Sequence, residues 1–192
     1  MPPIIFVRHG ETSWNAEGRL QGQRDIPLTD KGRGQARRNG ETIAAAFPDL
    51  SAYGFVASPL SRARETMEIA RRAIGLDPAA YALDDRLMEL TFGDWEGFTT
   101  AELRTKLPAA IAEREHDKWA FVPPGGESYA MLSDRVGGWL AGLDRPTFVV
   151  AHGGVGRVLR HLALGLDPEA VVVADFPQDK VMLIEDGTER WI

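Results

Sequence analysis

The stretch of sequence that decides the fold is Ile4-Ile5-Phe6-Val7-Arg8-His9-Gly10-Glu11-Thr12. Its first four residues are apolar and mostly β-branched or aromatic, a pattern typical of a strand that is buried on both faces. Arg8 and His9 follow at the carboxyl end of that strand, where ligands bind in open α/β sheets. Arginine suits phosphate oxygens because it offers a planar fork of donors, and histidine can act as a nucleophile at neutral pH. On this stretch alone, a strand end capped by two solvated polar residues is the alternative interpretation.

A second apolar run ends in the same way. Thr147-Phe148-Val149-Val150-Ala151 is followed by His152-Gly153-Gly154 and then by the apolar positions of a helix. Two strands that both end in histidine and glycine are harder to attribute to chance than one. Because parallel strands present their carboxyl ends at one edge of a sheet, we expect His9 and His152 to converge there.

Strands alternate with helices along the chain, which predicts an α/β fold. The predicted strands lie at 4–7, 55–57, 81–83, 147–151, 181–184 and 190–192. We therefore predict a three-layer α/β/α sandwich with a largely parallel central sheet, formed by one domain that spans residues 1–192.

Four helices are predicted between these strands. The first follows Thr29, a plausible N-cap, and the second follows Ser58-Pro59 and has Gly75 at its C-terminus. The others span about 127–143 and the residues after Gly154. Small residues on one face of the first helix predict close packing on the sheet. Residues 99–126 are expected to form a lid-like excursion, with two short helices broken at Pro108.

The composition limits the classes of function. The chain has 192 residues, enough for a sizeable core, and it contains no cysteine, which excludes thiolate nucleophiles and thiolate metal sites. Its formal net charge of -6 argues against general nucleic-acid binding. It shows no apolar run long enough for a membrane span and no signal peptide. We expect a cytoplasmic protein without nucleic-acid or membrane partners, and a homodimer is among the oligomeric states left open.

Further motifs lie around and between the two histidines. In chain order they are Arg8-His9-Gly10-Glu11-Thr12, Trp14-Asn15, Gly22, Asp25, Pro27-Leu28-Thr29, Gly32, Ser58-Pro59-Leu60-Ser61-Arg62-Ala63, Glu89, Gly93-Asp94-Trp95-Glu96-Gly97, Pro124-Gly125-Gly126-Glu127-Ser128 and His152-Gly153. Together they resemble the histidine phosphatase superfamily, in the branch of cofactor-dependent phosphoglycerate mutases and small phosphatases such as α-ribazole phosphatase. The acid phosphatase branch typically has aspartate after the second histidine, so Gly153 argues against that branch. The resemblance implies a phosphoglycerate mutase-like fold.

The resemblance also implies roles for five residues. His9 would be the nucleophile, and its other ring nitrogen should donate to a backbone carbonyl to fix the tautomer. Arg8 and Arg62 would bind the phosphoryl oxygens. His152 would complete the pocket as an imidazolium donor. Glu89 would protonate the leaving oxygen and then activate water.

Six further residues are expected to line the phosphate or substrate site, with the last of them as a backbone donor: Asn15, Gln21, Gly22, Ser58, Gly153 and Gly154. Composition alone does not separate Glu89 from three rival acids, which are Glu11, Asp94 and Glu96. His116 and His161 are interpreted as structural.

The leading prediction is a phosphomonoesterase that hydrolyses small phosphorylated metabolites through a phosphohistidine, without a metal or other cofactor. The alternative within the family is a phosphoglycerate mutase. Basic and acidic residues balance within 101–124, which favours an organic phosphate over a compact polyanionic acid. A non-catalytic phospholigand-binding module is disfavoured because every expected catalytic residue is present. A metallohydrolase is disfavoured because the four histidines lack ligand spacing.

Overall fold

The central sheet has six strands, and its order places the two histidine motifs side by side. In this computed structural model, which describes residues 1–192, the strands are β1 (Ile4–Arg8), β2 (Gly54–Ala57), β3 (Ala82–Leu83), β4 (Thr147–Ala151), β5 (Val181–Glu185) and β6 (Thr188–Trp191). The order is β3-β2-β4-β1-β5-β6. Strands β3, β2, β4 and β1 run parallel, whereas β5 is antiparallel to both of its neighbours. The predicted largely parallel sheet is confirmed.

The pairing of β1 with β4 brings the carboxyl ends of these strands level. Arg8 lies opposite Ala151, and the backbone N–H of His9 donates to Ala151 O at 2.9 Å. His9 and His152 therefore leave the sheet at the same edge. Their ring centroids are 5.1 Å apart, so the expected convergence of the two histidines is confirmed.

Eight α-helices surround the sheet. They are α1 (Ser13–Ala16), α2 (Asp30–Ala46), α3 (Ser61–Ile74), α4 (Thr100–Lys106), α5 (Pro108–His116), α6 (Tyr129–Leu140), α7 (Gly153–Leu164) and α8 (Pro168–Val173), with short 3₁₀ turns at Asp85–Leu87 and Gly93–Trp95. Thr29 caps α2, and Gly75 ends α3 in the left-handed conformation, both as predicted. The short helices α1 and α8 were not predicted.

Helices cover both faces of the sheet because the side chains of β1 alternate between the faces. Ile5 and Val7 pack with α2 and α3 in one apolar cluster. Ile4 and Phe6 pack with α6, α7 and α8 in the other cluster. This arrangement gives the three predicted layers. None of the helices is both long and apolar enough to cross a membrane.

The small residues of α2 serve a different contact from the predicted one. A methyl group on Gly40 would lie 2.7 Å from Ala70 O, in α3, and one on Gly32 would overlap the backbone of Glu11. The small face of α2 therefore packs on α3 and on the loop after β1, and not on the sheet. This contact fixes the loop that carries His9 against two helices.

The chain between the Gly93–Trp95 turn and α6 packs on the apolar cluster that includes α6 and α7. Its two helices are broken at Pro108, as predicted, because proline is tolerated at the first helical position but not further inside. Leu103 of α4 and Ile111 of α5 are buried in the same apolar cluster as α6 and α7. The segment is thus anchored to the core by these two side chains.

Candidate active site

A cavity of about 140 Å³ opens at the carboxyl edge of the sheet. Its lining consists of Arg8, His9, Asn15, Arg19, Leu20, Gln21, Gly22, Arg62, Glu89, Leu90, Phe92, Tyr129, Gly153 and Arg157. Three of the predicted site residues, Ser58, His152 and Gly154, do not line it. Gly154 contacts Glu89, the ring of His152 lies beside that of His9, and Ser58 contacts His152.

His9 is held in one tautomer by the backbone of its neighbour. Its Nδ1 lies 2.8 Å from Gly10 O, and only a protonated Nδ1 can donate to a carbonyl. The lone pair is therefore on Nε2. Burial, followed by the charges of Arg62 and Arg8, holds the pKa of His9 well below its usual range. A neutral imidazole with a free Nε2 is the form that can attack phosphorus.

The two arginines present unsatisfied donors to the cavity. Arg8 donates from Nη1 to Phe176 O at 2.5 Å, and Arg62 donates to Arg24 O and Gly22 O, both at 2.7 Å. The Nε atoms of both arginines are buried without a partner. Burial lowers the pKa of Arg8 to about 10, yet both guanidinium groups remain charged at neutral pH. Buried, charged and incompletely bonded donors favour an anion between them.

His152 and Ser58 contact each other outside the cavity lining. His152 is fully buried, and its Nε2 lies 2.7 Å from Ser58 Oγ. Burial, then Arg62 and His9, hold the pKa of His152 well below its usual range, which favours a neutral ring without a bound anion; the imidazolium stays a prediction for the occupied site. Ser58 is fully buried, contacts this ring and does not line the cavity, so it is placed to orient His152, and its contact with substrate stays a prediction. When Ser58 donates to Nε2, the proton of the neutral ring is on Nδ1, which is buried without a partner.

Glu89 is separated from its rivals by position. It lines the cavity, and its carboxylate accepts from Leu90 N and Gly154 N, both at 3.1 Å. The backbone N–H of Gly154, which was predicted to be a donor in the substrate site, thus donates to Glu89 instead. A methyl group at Gly154 would overlap Glu89 Oε1, so the absence of a side chain at Gly154 leaves room for the Glu89 carboxylate.

The three rival acids are engaged elsewhere or face solvent. Glu11 is paired with Lys31 at 2.6 Å, and Asp94 is exposed. Glu96 accepts hydrogen bonds from Gln23 N at 3.0 Å and Thr91 Oγ1 at 2.9 Å, which fastens one loop to another. None of the three lines the cavity.

Two amides add neutral donors to the cavity wall. The Oδ1 atom of Asn15 accepts from Thr12 N at 3.2 Å and from Gln178 Nε2 at 3.0 Å. The Oε1 atom of Gln21 accepts from Thr12 Oγ1 at 2.9 Å. With both oxygens occupied, the amide nitrogens are the groups left to bind a ligand. Gly22 and Gly153 line the cavity, as predicted, and only their backbone atoms can contact a ligand there.

Arg157 and Tyr129 line the cavity but were missed in the sequence. Arg157 lies four residues after Gly153 in α7, so both are on one face of the helix. That spacing is the signal by which the sequence could have revealed it. Tyr129 is the first residue of α6 and is 5% exposed. No cluster of three or more histidine or acidic side chains is arranged to hold a metal ion.

Comparison with known proteins agrees with this geometry. The model of the histidine phosphatase superfamily (branch 1) matches residues 4–191. A glucosyl-3-phosphoglycerate phosphatase of Mycolicibacterium vanbaalenii is 37% identical over 85% of this chain and 74% of its own length. The probable phosphoglycerate mutase GpmB of Salmonella choleraesuis is 38% identical over 80% of this chain and 70% of its own length.

A solved structure resembles the fold across its whole length. The α-ribazole phosphatase from Shigella flexneri superposes with a TM-score of 0.82 at 26% identity, covering 97% of this chain and 93% of that one. With the family match spanning both histidine strands and all the loops between them, the chain belongs to branch 1 of the histidine phosphatase superfamily.

Proposed function

We propose that this protein is a phosphomonoesterase that hydrolyses small organic phosphates through a phosphohistidine at His9. The observation that carries the proposal is the tautomer of His9. Its Nδ1 is fixed on Gly10 O, so Nε2 faces a cavity whose walls hold two arginines with unpaired donors. The phosphatases among its relatives support the same class of reaction.

In the first half-reaction, Nε2 of His9 attacks the phosphorus of a bound monoester, and the ester P–O bond breaks. Arg8 and Arg62 stabilise the charge on the transferring oxygens, as do the amides of Asn15 and Gln21. Protonated Glu89 gives its proton to the departing alkoxide. The products are a phosphohistidine, a neutral alcohol and a Glu89 carboxylate.

In the second half-reaction, the Glu89 carboxylate takes a proton from water as the water oxygen attacks phosphorus. The P–N bond breaks, phosphate leaves, and the neutral His9 and protonated Glu89 are restored. The hydrogen bonds from Leu90 N and Gly154 N hold the Glu89 carboxyl in place for both steps.

The nucleophile is tested by trapping the intermediate. His9→Ala should abolish both phosphate release and labelling by a phosphoryl donor, because no other free imidazole reaches the cavity. The wild-type phosphoenzyme should be acid-labile, and peptide mapping should locate it at His9. His116→Ala removes an exposed histidine and should keep full activity. A phosphoryl group mapped to a residue other than His9 would contradict the mechanism.

The second candidate function is a phosphoglycerate mutase, and the kinship with the GpmB protein supports it. A mutase returns the phosphoryl group to a substrate, whereas a phosphatase gives it to water. The assay supplies 3-phosphoglycerate with a bisphosphoglycerate primer and follows both 2-phosphoglycerate and free phosphate. We expect free phosphate; rapid interconversion without net phosphate release would establish the mutase.

The relatives' names make glucosyl-3-phosphoglycerate the first ester to assay, followed by a panel of phosphorylated metabolites. The cytoplasmic location, the absence of nucleic-acid partners and independence from metals stay predictions from the sequence. Activity that survives exhaustive chelation would support the last of these, since arginines and not a metal supply the positive charge.

A further inference from the structure

Three cations lie close to one another beside the phosphate cavity, and one of them, Arg157, lines it. Arg157 comes from α7, Arg114 from α5, and Lys118 from the turn that follows α5. All three are half-buried, and none has a carboxylate within salt-bridge distance. By contrast, their acidic neighbours Glu113 and Glu115 are exposed. Within 113–118 the charges are thus separated in space, with the cations half-buried and the acids exposed, whereas Arg104 and Lys106 of α4 are exposed.

Carbonyls of one segment hold the cations in place. Lys118 Nζ donates to Val172 O at 2.7 Å, and Arg157 Nε donates to Ala174 O at 2.9 Å. Phe176 O receives Arg8 in the same way. The three acceptors are two residues apart along the chain at the end of α8. The cations therefore follow one another from the phosphate-binding Arg8 towards Lys118.

The geometry around Gly153 shows how close Arg157 lies to the phosphate-binding Arg8. A methyl group on Gly153 would be 3.3 Å from Arg157 Nη1 and 3.4 Å from Arg8 Nε. The two guanidinium groups therefore flank the same backbone at the start of α7. Arg157 and Tyr129 both line the cavity, so an occupant of the cavity can reach them.

The cations also destabilise one another when no anion is present. Burial, then the charges of Arg114 and Arg157, lower the pKa of Lys118 to about 8, and exposed Glu169 offsets only part of this. Burial and then Arg157 lower the pKa of Arg8 to about 10. Desolvated like charges of this kind are stabilised by an anionic ligand.

We propose, on the footing of the phosphatase function above, that Arg157, backed by Arg114 and Lys118, forms a second anion subsite beside the phosphoryl pocket. It takes a carboxylate or a second phosphate carried by the leaving alcohol. The preferred substrates are then phosphomonoesters of hydroxy acids or of phosphorylated alcohols, and esters of neutral alcohols are turned over less efficiently.

The test uses three esters on one three-carbon frame. Glycerol 3-phosphate has a neutral leaving alcohol, 3-phosphoglycerate adds a carboxylate, and 2,3-bisphosphoglycerate adds a second phosphate. Wild-type kcat/KM for phosphate release should favour one or both charged esters, and which one it favours identifies the anion. Arg157→Met should reduce the ratio between the charged and neutral esters about 10- to 100-fold, the usual worth of a hydrogen bond to a charged group.

Two further variants control for charge and folding. Arg160 lies on the same helix but is paired with Glu189 at 2.6 Å, so Arg160→Met removes an equal charge outside the cavity and should leave the ratio unchanged. Lys118→Met should reduce the ratio between the charged and neutral esters by a smaller factor, mainly through KM. It replaces Arg157→Met as the test if that variant does not fold. An unchanged ratio in both the Arg157 and Lys118 variants would overturn the subsite. So would an equal loss on all three esters, because Arg157 would then serve the transferring phosphoryl group.

A binding measurement separates failure of the subsite from failure of the phosphatase function. In the His9→Ala background, calorimetry should show tighter binding of the charged esters, and Arg157→Met should remove that difference. If the wild type releases no phosphate from any ester but this difference is present, the subsite stands and the hydrolytic function falls. If turnover is present and the difference is absent, the subsite falls alone.

Discussion

Gly154 is the residue on which the geometry of the general acid depends. Its N–H donates to Glu89 Oε2 at 3.1 Å, and its Cα has no room for a methyl group beside Glu89 Oε1 and Leu90 Cδ2. The hydrogen bond attracts the carboxylate to the helix, and the missing side chain makes space for it. Glycine is therefore required here because it has no side chain, and not because its backbone is free to adopt unusual conformations.

Gly154→Ala should accordingly fold but behave like a general-acid variant. Alanine is a better helix former than glycine, whereas its methyl group must displace the flexible Glu89 side chain. Alkyl phosphates should lose about 10²- to 10⁴-fold in kcat, the range for a general acid. Phosphorylation by p-nitrophenyl phosphate should lose much less, because nitrophenolate leaves without a proton. A burst of nitrophenol followed by slow turnover is the expected signature, in this variant and in Glu89→Gln.

A matched glycine and a double variant sharpen this measurement. A methyl group on Gly138 in α6 would have nothing within 4 Å of it, so Gly138→Ala should retain full activity. The double variant Gly154→Ala/Glu89→Gln should be little worse than Glu89→Gln alone, because both changes remove the same proton transfer. Full additivity would mean that Gly154 acts on another step.

Residue roles were predictable where they follow from local chain geometry. The His9 tautomer depends on the carbonyl of the very next residue, and the Arg8-His9 strand end is readable in sequence. The contact of Ser58 with His152 was not predictable, because the two residues are 94 positions apart and the side-chain direction depends on the β2–β4 pairing. Such contacts exist only once the sheet has formed.

At the scale of elements, the long strands and helices were predictable and the short helix α8 was not. Val171, Val172 and Val173 are β-branched, and a helix of six residues is marginal by itself. It forms because Asp167 caps it, Pro168 occupies the first turn, and Val171 and Val172 are buried. Tertiary packing therefore outweighs local propensity there.

The charges of the α4–α5 segment show a second limit at this scale. A count of the basic and acidic residues in 101–124 gives no net charge, but a count does not show which of them lie on the same face of a helix. Arg114 and Lys118 are four residues apart and share the inward side, while Glu113, Glu115 and Asp117 are exposed. That this segment disfavours a compact anion stays a prediction, and the half-buried Arg114 and Lys118 argue against it.

At the scale of the whole molecule, the two buried histidines make stability depend on pH. Both have folded-state pKa values well below the unfolded value, so below about pH 6.5 the unfolded chain binds protons that the folded chain does not. Stability is then fully present above that pH and is lost as pH falls towards the folded pKa values. The expected slope is up to about 1.4 kcal/mol per pH unit for each histidine.

Denaturant unfolding at pH 7.5, 6.0 and 5.0 measures this dependence. The double variant His9→Asn/His152→Asn should lose less stability than the wild type between these values, because it has removed the two linked protons. His116→Asn, at an exposed position, should follow the wild type. Parallel curves for the wild type and the double variant would contradict the assignment of neutral, buried imidazoles.

The order of the strands also governs how the molecule meets its neighbours. Both edges of the sheet are poor templates for strand addition: β3 has two residues, and β6 carries Glu189 and Arg190, with Glu189 tied to Arg160. Intermolecular β-pairing, the usual route from an open sheet to aggregation, is therefore blocked at each end. A homodimer of this chain is therefore not expected to form by joining the edge strands of two sheets into one.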